Sequence, residues 1–204
     1  MNAVASLRAA LGDAYHHSVR LVLLNCAVGA VVAVAAAGAA YALPAALLVL
    51  AAGPLVAALV HCAVVVVRTG SLDWADARDG LRLHWRRGLR LGALDAAGIA
   101  LGVLAIRFYS HHGLWPVAAV SAYLLAAFCV WQFLVWTFAI TGEGRPFSRA
   151  ARELLGRPRA ALGLGLALVV LNGVGAVAII PILTLTLAYS FLAAAHFVLP
   201  PQEA

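Results

Sequence analysis

The amino-acid sequence predicts an all-α protein, a polytopic bundle of transmembrane helices with about six spans. Of its 204 residues, 65% are hydrophobic and only 11% are charged, whereas soluble domains carry about 25% charged residues. Several apolar runs continue for about 20 residues, the length at which a helix crosses a bilayer. A transmembrane β-barrel would instead show alternating segments of about ten residues. These observations together exclude a water-soluble fold.

The charge is strongly basic and comes from one residue type. The net charge is +6, and all fourteen Lys and Arg positions hold arginine. Because these arginines lie in segments that flank the apolar runs, we expect them to contact anionic lipid headgroups and not nucleic acid. The lack of lysine together with abundant Ala and Gly suggests a GC-rich bacterial genome. The expected location is therefore a bacterial cytoplasmic (inner) membrane.

The chain begins with a predicted surface helix and two spans. Residues 1–20 are expected to lie on the membrane, because three apolar side chains share one helical face, Leu7, Leu11 and Tyr15. The first span is 21–41; a cleaved signal peptide is the alternative, although its apolar core would exceed the usual length of about 7–15 residues. The second span is 45–67, and the turn before it carries no charge.

The longest polar interruption is 68–90, with aspartates first and arginines later. That order suits the helix dipole, and Ser71 is the expected N-cap. Trp74, Ala77, Leu81 and Trp85 share one face beside a row of arginines. An interfacial amphipathic helix is predicted, with its arginines among the lipid phosphates. The expected contacts with headgroups or a partner are Arg78, Arg82, Arg86 and Arg87.

The second half repeats this alternation of spans and basic segments. Spans are predicted at 88–108 and 117–140, and a second basic amphipathic helix at 141–159, ended by Gly156 and Pro158. Its expected contacts with headgroups or a partner are Arg149 and Arg152. The last apolar run is twice the length of a span and holds Pro181 near its middle. It predicts spans at 160–179 and 182–199; the alternative is five spans, with one long tilted helix and a re-entrant piece.

The arginines also predict the orientation. With the N-terminus inside, thirteen of the fourteen arginines are cytoplasmic, and only Arg107 is outside. The positive-inside rule therefore places both termini in the cytoplasm. An offset of 73 residues aligns Trp74 with Phe147 and Leu81 with Leu154. This similarity suggests a parallel internal repeat; chance similarity in a sequence rich in Ala, Leu and Arg is the alternative.

Polar residues inside spans are candidates for function. Asp95, about five residues beyond Arg90, is the main one. It is either a proton or cation site, or a carboxylate paired with a cytoplasmic-end arginine or a neighbouring helix. Hydrogen bonds between helices are the expected role of three amides, Asn25, Asn172 and Gln132. His61 is expected to be a core histidine, since no second ligand pair is spaced to complete a metal site with it.

Catalytic signatures are missing from the sequence. It has no phosphate loop, no HExxH and no GxSxG motif, and no aspartate pair for an intramembrane protease. The three cysteines lie in apolar runs without metal-ligand spacing and are expected to be reduced. Gly98 and Gly102 give the third span a small-residue face for close packing. We therefore expect no enzyme activity, cofactor or metal.

Several features resemble the bacterial YesL-like membrane proteins, a family of unknown function and of about this length. The matching features are Asn25 early in the first span, the Leu43-Pro44 turn, Gly53-Pro54 leading the second span with Ala57-Ala58-Leu59, and the Trp/Arg-rich segment after it. The resemblance covers nearly the whole chain. It implies no established activity, but it implies an association with carbohydrate-uptake ABC transporters.

These observations predict a non-enzymatic protein that assists or regulates a transport system, with carbohydrate ABC uptake suggested by the resemblance. The alternative is a self-sufficient small transporter or lipid-binding membrane protein, and an intramembrane enzyme is the third hypothesis. The expected partners are anionic membrane lipids, and either ABC transporter subunits or a second copy of the chain.

Overall fold

The computed structural model describes residues 3–41, 43–142, 144–178 and 186–199. Within these ranges the chain is helical and contains no strand, so the all-α class is confirmed. The elements are α1 Ala3–His16, α2 Ser18–Tyr41, a 3-10 helix Leu43–Ala51, α3 Ala52–Thr69, α4 Trp74–His111, α5 Trp115–Ile140, α6 Pro146–Gly156, α7 Pro158–Ala178 and α8 Leu187–Val198.

Five of the described helical segments are long and apolar enough to cross a membrane. They are α2, α4, α5, α7 and the segment Leu47–Thr69, which joins the end of the 3-10 helix to α3. The predicted span 182–199 lies partly outside the described residues. Its described helix, α8, has 12 residues, fewer than the ~20 that a span needs. Six spans therefore stay a prediction.

The first basic segment and the third predicted span lie on one continuous helix. Helix α4 runs unbroken for 38 residues, about 57 Å at 1.5 Å per residue. No break separates the two, because Gly88 is held inside a close contact with α3 and does not interrupt the helix. The depth of the first half of α4 in a membrane stays a prediction.

The start of α4 also differs from the expectation. Asp73, and not Ser71, is the N-cap of this helix. The Asp73 backbone N–H donates to the Asp76 carboxylate at 2.7 Å, and the two side chains form a reciprocal capping box. Ser71 instead contacts the Thr69 hydroxyl at 3.2 Å. An aspartate cap satisfies the same free N–H groups as serine and adds a charge that the helix dipole favours.

Helix α3 lies at the centre of the bundle and packs most extensively on α4. The two helices approach through glycines. A Cβ at Gly88 would lie 2.7 Å from the Gly53 carbonyl oxygen, and one at Gly80 would lie 2.8 Å from His61 Cβ. Farther along α4, a Cβ at Gly98 or Gly102 would meet Phe128 or Leu125 of α5. The predicted small-residue face therefore packs on α5, the next helix in the chain.

Helix α1 is packed into the bundle by a face different from the predicted one. Ser6, Ala10 and Ala14 are buried, whereas two of the three residues of the predicted face, Leu11 and Tyr15, are 62% and 81% exposed. The C-terminal helix α8 holds α1 in place: the Tyr189 hydroxyl donates to the Leu7 carbonyl at 2.9 Å. Small residues allow α1 to approach α8 closely, which larger side chains on that face would prevent.

The second basic segment forms a separate helix, α6, which ends at Gly156 as predicted. Pro158 begins α7, where its missing N–H costs nothing. Ala150 of α6 is fully buried, and the Phe147 ring lies 5.6 Å from the Trp131 ring of α5. Helix α4 is continuous after the first basic segment, whereas the chain breaks at Arg157 after the second one. The two proposed repeat units therefore differ here. The internal repeat stays a prediction, as does the orientation.

Candidate functional site

Asp95 projects from α4 toward α5. Its Oδ2 atom accepts a hydrogen bond of 2.6 Å from the indole Nε1 of Trp136. No arginine pairs with Asp95 in the part of the chain that the structure describes. Of the two pairings that were predicted, the structure therefore shows the contact with a neighbouring helix and not the arginine.

A pocket of about 170 Å³ lies beside this hydrogen bond, between α3, α4, α5 and α8. Two residues that line it, Asp95 and Gln132, carry buried polar atoms without a hydrogen-bond partner among the described residues: Asp95 Oδ1 and both polar atoms of the Gln132 amide. Gln132 is only 5% exposed. The interhelical hydrogen bond predicted for Gln132 is therefore absent from the described residues, and the residue lines a pocket instead.

Aromatic rings form much of the remaining wall of this pocket. Phe128, Phe133 and Trp136 come from α5, and Phe191 comes from α8. Residues three and four apart share a helical face, which explains how one side of α5 supplies Phe128, Gln132, Phe133 and Trp136 together. The i, i+4 spacing was visible in the sequence. The contribution of α8 was not, because it depends on how distant segments pack.

A second, larger groove of about 340 Å³ lies where the end of α5 passes α4. Arg87 and Arg90 of α4 line it, together with Leu91, Leu94 and Phe147. Arg87 Nη1 donates to the Ala139 carbonyl at 3.1 Å, near the C-terminus of α5, where a cation is favourable. Arg90 is exposed and has no hydrogen-bond or ion-pair partner among the described residues. We call this surface the arginine groove.

The arginine groove contains one predicted contact residue and one that was missed. Arg87 was expected to meet headgroups. Arg90 was not, although its i, i+3 spacing from Arg87 indicates a shared face. The remaining predicted arginines lie elsewhere: Arg78, Arg82, Arg86 and Arg152 are exposed, and Arg149 is half-buried. Arg86 stacks on the neighbouring Trp85 ring, with its guanidinium carbon 5.2 Å from the ring centroid.

The other predicted polar residues have structural surroundings. Asn172 joins α7 to α8 by donating to the Ser190 hydroxyl at 2.8 Å, as expected for a bridging amide. Asn25 is buried. His61 is half-buried beside His84 of α4, with 5.4 Å between the ring centroids. Within the described ranges, no group of three or more His, Cys, Asp or Glu side chains is arranged to hold a metal ion.

Two sites thus emerge within one region of the bundle, an acidic pocket lined by aromatic rings and the arginine groove. They are lined by different residues of α4, and one is anionic while the other is cationic. No family model, curated protein or solved structure matches this chain. The function must therefore be inferred from these two sites.

Proposed function

We propose that the protein is a non-enzymatic, multi-pass membrane protein that binds the headgroup of an anionic phospholipid in the arginine groove. The observation that carries the proposal is the unpartnered Arg90 guanidinium, within the described residues, next to an apolar wall of Leu91, Leu94 and Phe147. A phospholipid joins the same two chemistries, an anionic phosphate and acyl chains. The groove matches both of them side by side.

The electrostatics of the groove support this choice of ligand. Arg87 is held by the Ala139 carbonyl, so part of the positive charge is fixed before any lipid arrives. The groove also reaches Pro146 and Phe147 at the N-terminus of α6, where unbonded N–H groups favour an anion. Guanidinium groups bind phosphate oxygens in a bidentate geometry. A zwitterionic lipid would gain less from this field than an anionic one.

The test is lipid binding by the purified protein in a neutral detergent, with dioleoyl-phosphatidylglycerol and dioleoyl-phosphatidylcholine as matched lipids. A basic side chain near a membrane surface contributes about 1 kcal/mol to anionic lipid binding, so Arg90→Gln should weaken phosphatidylglycerol binding about fivefold. Arg107→Gln, at the far end of the same helix and outside the groove, is the control and should change little. Equal losses in the two variants, or equal binding of the two lipids, would refute the proposal.

The proposed location follows the predicted topology, a bacterial cytoplasmic membrane with both termini inside. The five apolar helices support a membrane location, and the arginine distribution supports the orientation. In this orientation the arginine groove faces the cytoplasmic leaflet, whose anionic lipids attract basic segments. Cysteine-accessibility labelling at Ser148 and Ser110, which the predicted topology places on opposite sides of the membrane, would test this orientation directly.

A second candidate function is assistance or regulation of a transport system, which the resemblance to YesL-like proteins also suggests. The observation that favours it is the exposed outer face of α4. Trp74 and Trp85 are 53% and 46% exposed there, beside exposed arginines, and tryptophan and arginine are enriched in protein interfaces. The face would dock on a subunit of an ABC transporter.

Purification from the native host in mild detergent tests this second function. Recovery of an ABC permease or its ATPase in stoichiometric amount, lost on reversing the charge at Arg78, Arg82 and Arg86, would support it. Recovery of a second copy of the chain alone would instead favour a self-sufficient transporter or lipid-binding protein. The resemblance to the YesL-like family stays a prediction in either case.

A further inference from the structure

We propose that the pocket around Asp95 binds a small organic cation, an alkylammonium group seated between the carboxylate and the surrounding aromatic rings. This site is separate from the arginine groove and does not depend on lipid binding there. Its evidence is a set of buried polar atoms without partners, a wall of aromatic faces and a pocket of defined size.

The carboxylate is the first part of the site. Asp95 accepts one hydrogen bond at Oδ2, from Trp136, and its Oδ1 has none among the described residues. A carboxylate removed from water is costly unless it is paired with a positive group. No arginine supplies that group within the described ranges. A cationic ligand would satisfy both the charge and the unused acceptor.

The Gln132 amide is the second part. Neither its oxygen nor its nitrogen has a hydrogen-bond partner in the described part of the chain, although the side chain is 95% buried. Buried polar groups in native proteins are nearly always hydrogen-bonded, so each exception requires an explanation. An ammonium group has only donors, and the Gln132 oxygen and Asp95 Oδ1 are two unused acceptors for it. Both atoms are buried, so binding requires the two side chains, which line the pocket, to rotate toward the ligand.

The aromatic wall is the third part. Phe128, Phe133, Trp136 and Phe191 line the pocket, and the faces of such rings attract cations by about 0.5–2 kcal/mol each, most strongly when the cation is desolvated. A metal ion would require more oxygen ligands than this wall provides. An organic cation fits better, because its alkyl part gains from the apolar surface while its charge meets Asp95.

The pocket is accessible from outside the bundle. The pocket is not fully enclosed, and Ile99 of α4, which lines it, is 45% exposed on the outside of the bundle. Helix α4 is apolar enough to cross a membrane. In its most apolar stretch only 6% of the residues are buried inside the bundle. A ligand that enters there must tolerate an apolar surrounding. An alkylammonium has that amphipathic character, whereas a compact inorganic cation does not.

The test uses n-butylammonium chloride as the probe and n-butanol as its neutral analogue of matched length. Thermal unfolding of the protein in a neutral detergent is followed as each compound is titrated. We expect n-butylammonium to raise Tm saturably and n-butanol to have no such effect. Asp95→Asn should lower the affinity for n-butylammonium at least tenfold. Asp79→Asn, which changes an exposed aspartate of the same helix outside the pocket, should leave it unchanged.

A second variant keeps the proposal testable if Asp95→Asn does not fold. Gln132→Leu retains the carboxylate and removes one acceptor, and it should weaken n-butylammonium binding about fivefold. The proposal is overturned if wild-type protein shows no saturable response to n-butylammonium, or if n-butanol produces the same shift. It is equally overturned if Asp95→Asn binds the probe as well as wild type does, because the carboxylate would then be only a hydrogen-bond acceptor for Trp136.

Discussion

The crossing of α3 and α4 predicts that one methyl group at Gly88 will destabilise the bundle. A Cβ placed on Gly88 would lie 2.7 Å from the Gly53 carbonyl oxygen, 2.9 Å from Pro54 Cα and 3.0 Å from Ala57 Cβ. Carbon atoms prefer separations of about 3.5–4.0 Å. Two of these three neighbours are backbone atoms, which cannot rotate away, so Gly88→Ala must push the helices apart.

The size of the effect follows from two opposing contributions. Overpacking a close contact costs about 1–3 kcal/mol, and replacing glycine by alanine inside a helix recovers about 0.5–1 kcal/mol. Gly12 of α1 provides a matched control, because no atom lies within 4 Å of a Cβ placed there. Gly12→Ala should therefore show only the gain. The two variants should differ by the overpacking cost alone, about 1–3 kcal/mol.

The measurement is unfolding by sodium dodecyl sulfate in mixed micelles, with helicity followed by circular dichroism. Gly88→Ala should unfold at a lower mole fraction of the denaturing detergent than wild type, and Gly12→Ala at an equal or higher one. If Gly88→Ala is as stable as Gly12→Ala, the close approach of the two backbones is wrong. A larger loss for Gly88→Val than for Gly88→Ala would further support the steric explanation.

Two further predictions concern contacts between distant segments. The His196 Nε2 atom lies 2.7 Å from Asp13 Oδ2, and this contact joins α8 to α1. Asp13→Ala leaves the largely buried imidazole without this partner, so it should lower the free energy of unfolding by about 1–3 kcal/mol. Asp79→Ala is the control and should change stability little in the same unfolding assay. Gly98→Ala should destabilise less than Gly88→Ala, since the atom it meets at 2.5 Å belongs to the Phe128 ring, which can turn. Because Phe128 also lines the Asp95 pocket, this variant should weaken n-butylammonium binding, and unchanged binding would contradict the assigned wall.

The helical class and most of the spans could be predicted because they depend on local properties. Unbroken apolar runs of sufficient length predict membrane-crossing helices regardless of what surrounds them. Five of the described segments are indeed helices long and apolar enough to cross a membrane. The end of α6 at Gly156 was predictable for the same reason, because Gly and Pro end a helix through the local backbone conformation alone. The continuation of α4 through Gly88 could not be predicted, because a glycine that would weaken an isolated helix is retained here by its packing on α3.

The surroundings of the candidate residues needed the tertiary structure. Asn172 was expected to bridge helices and does so, whereas Gln132, with the same amide, has no partner among the described residues. Composition and spacing cannot distinguish the two cases. The difference arises because Ser190 of α8 lies opposite Asn172, while the wall opposite Gln132 is aromatic and apolar.

The sequence by itself determined that this chain is helical, apolar enough for a membrane, strongly basic in two segments and marked by one aspartate within a predicted span. Those properties belong to individual residues and to their neighbours along one helix. Only the tertiary structure decided that Asp95 meets Trp136 and a pocket partly formed by α8, and that Arg90 lies in a groove with Phe147. These pairings join segments far apart in the chain, and the helix crossings that create them depend on close packing among many residues at once.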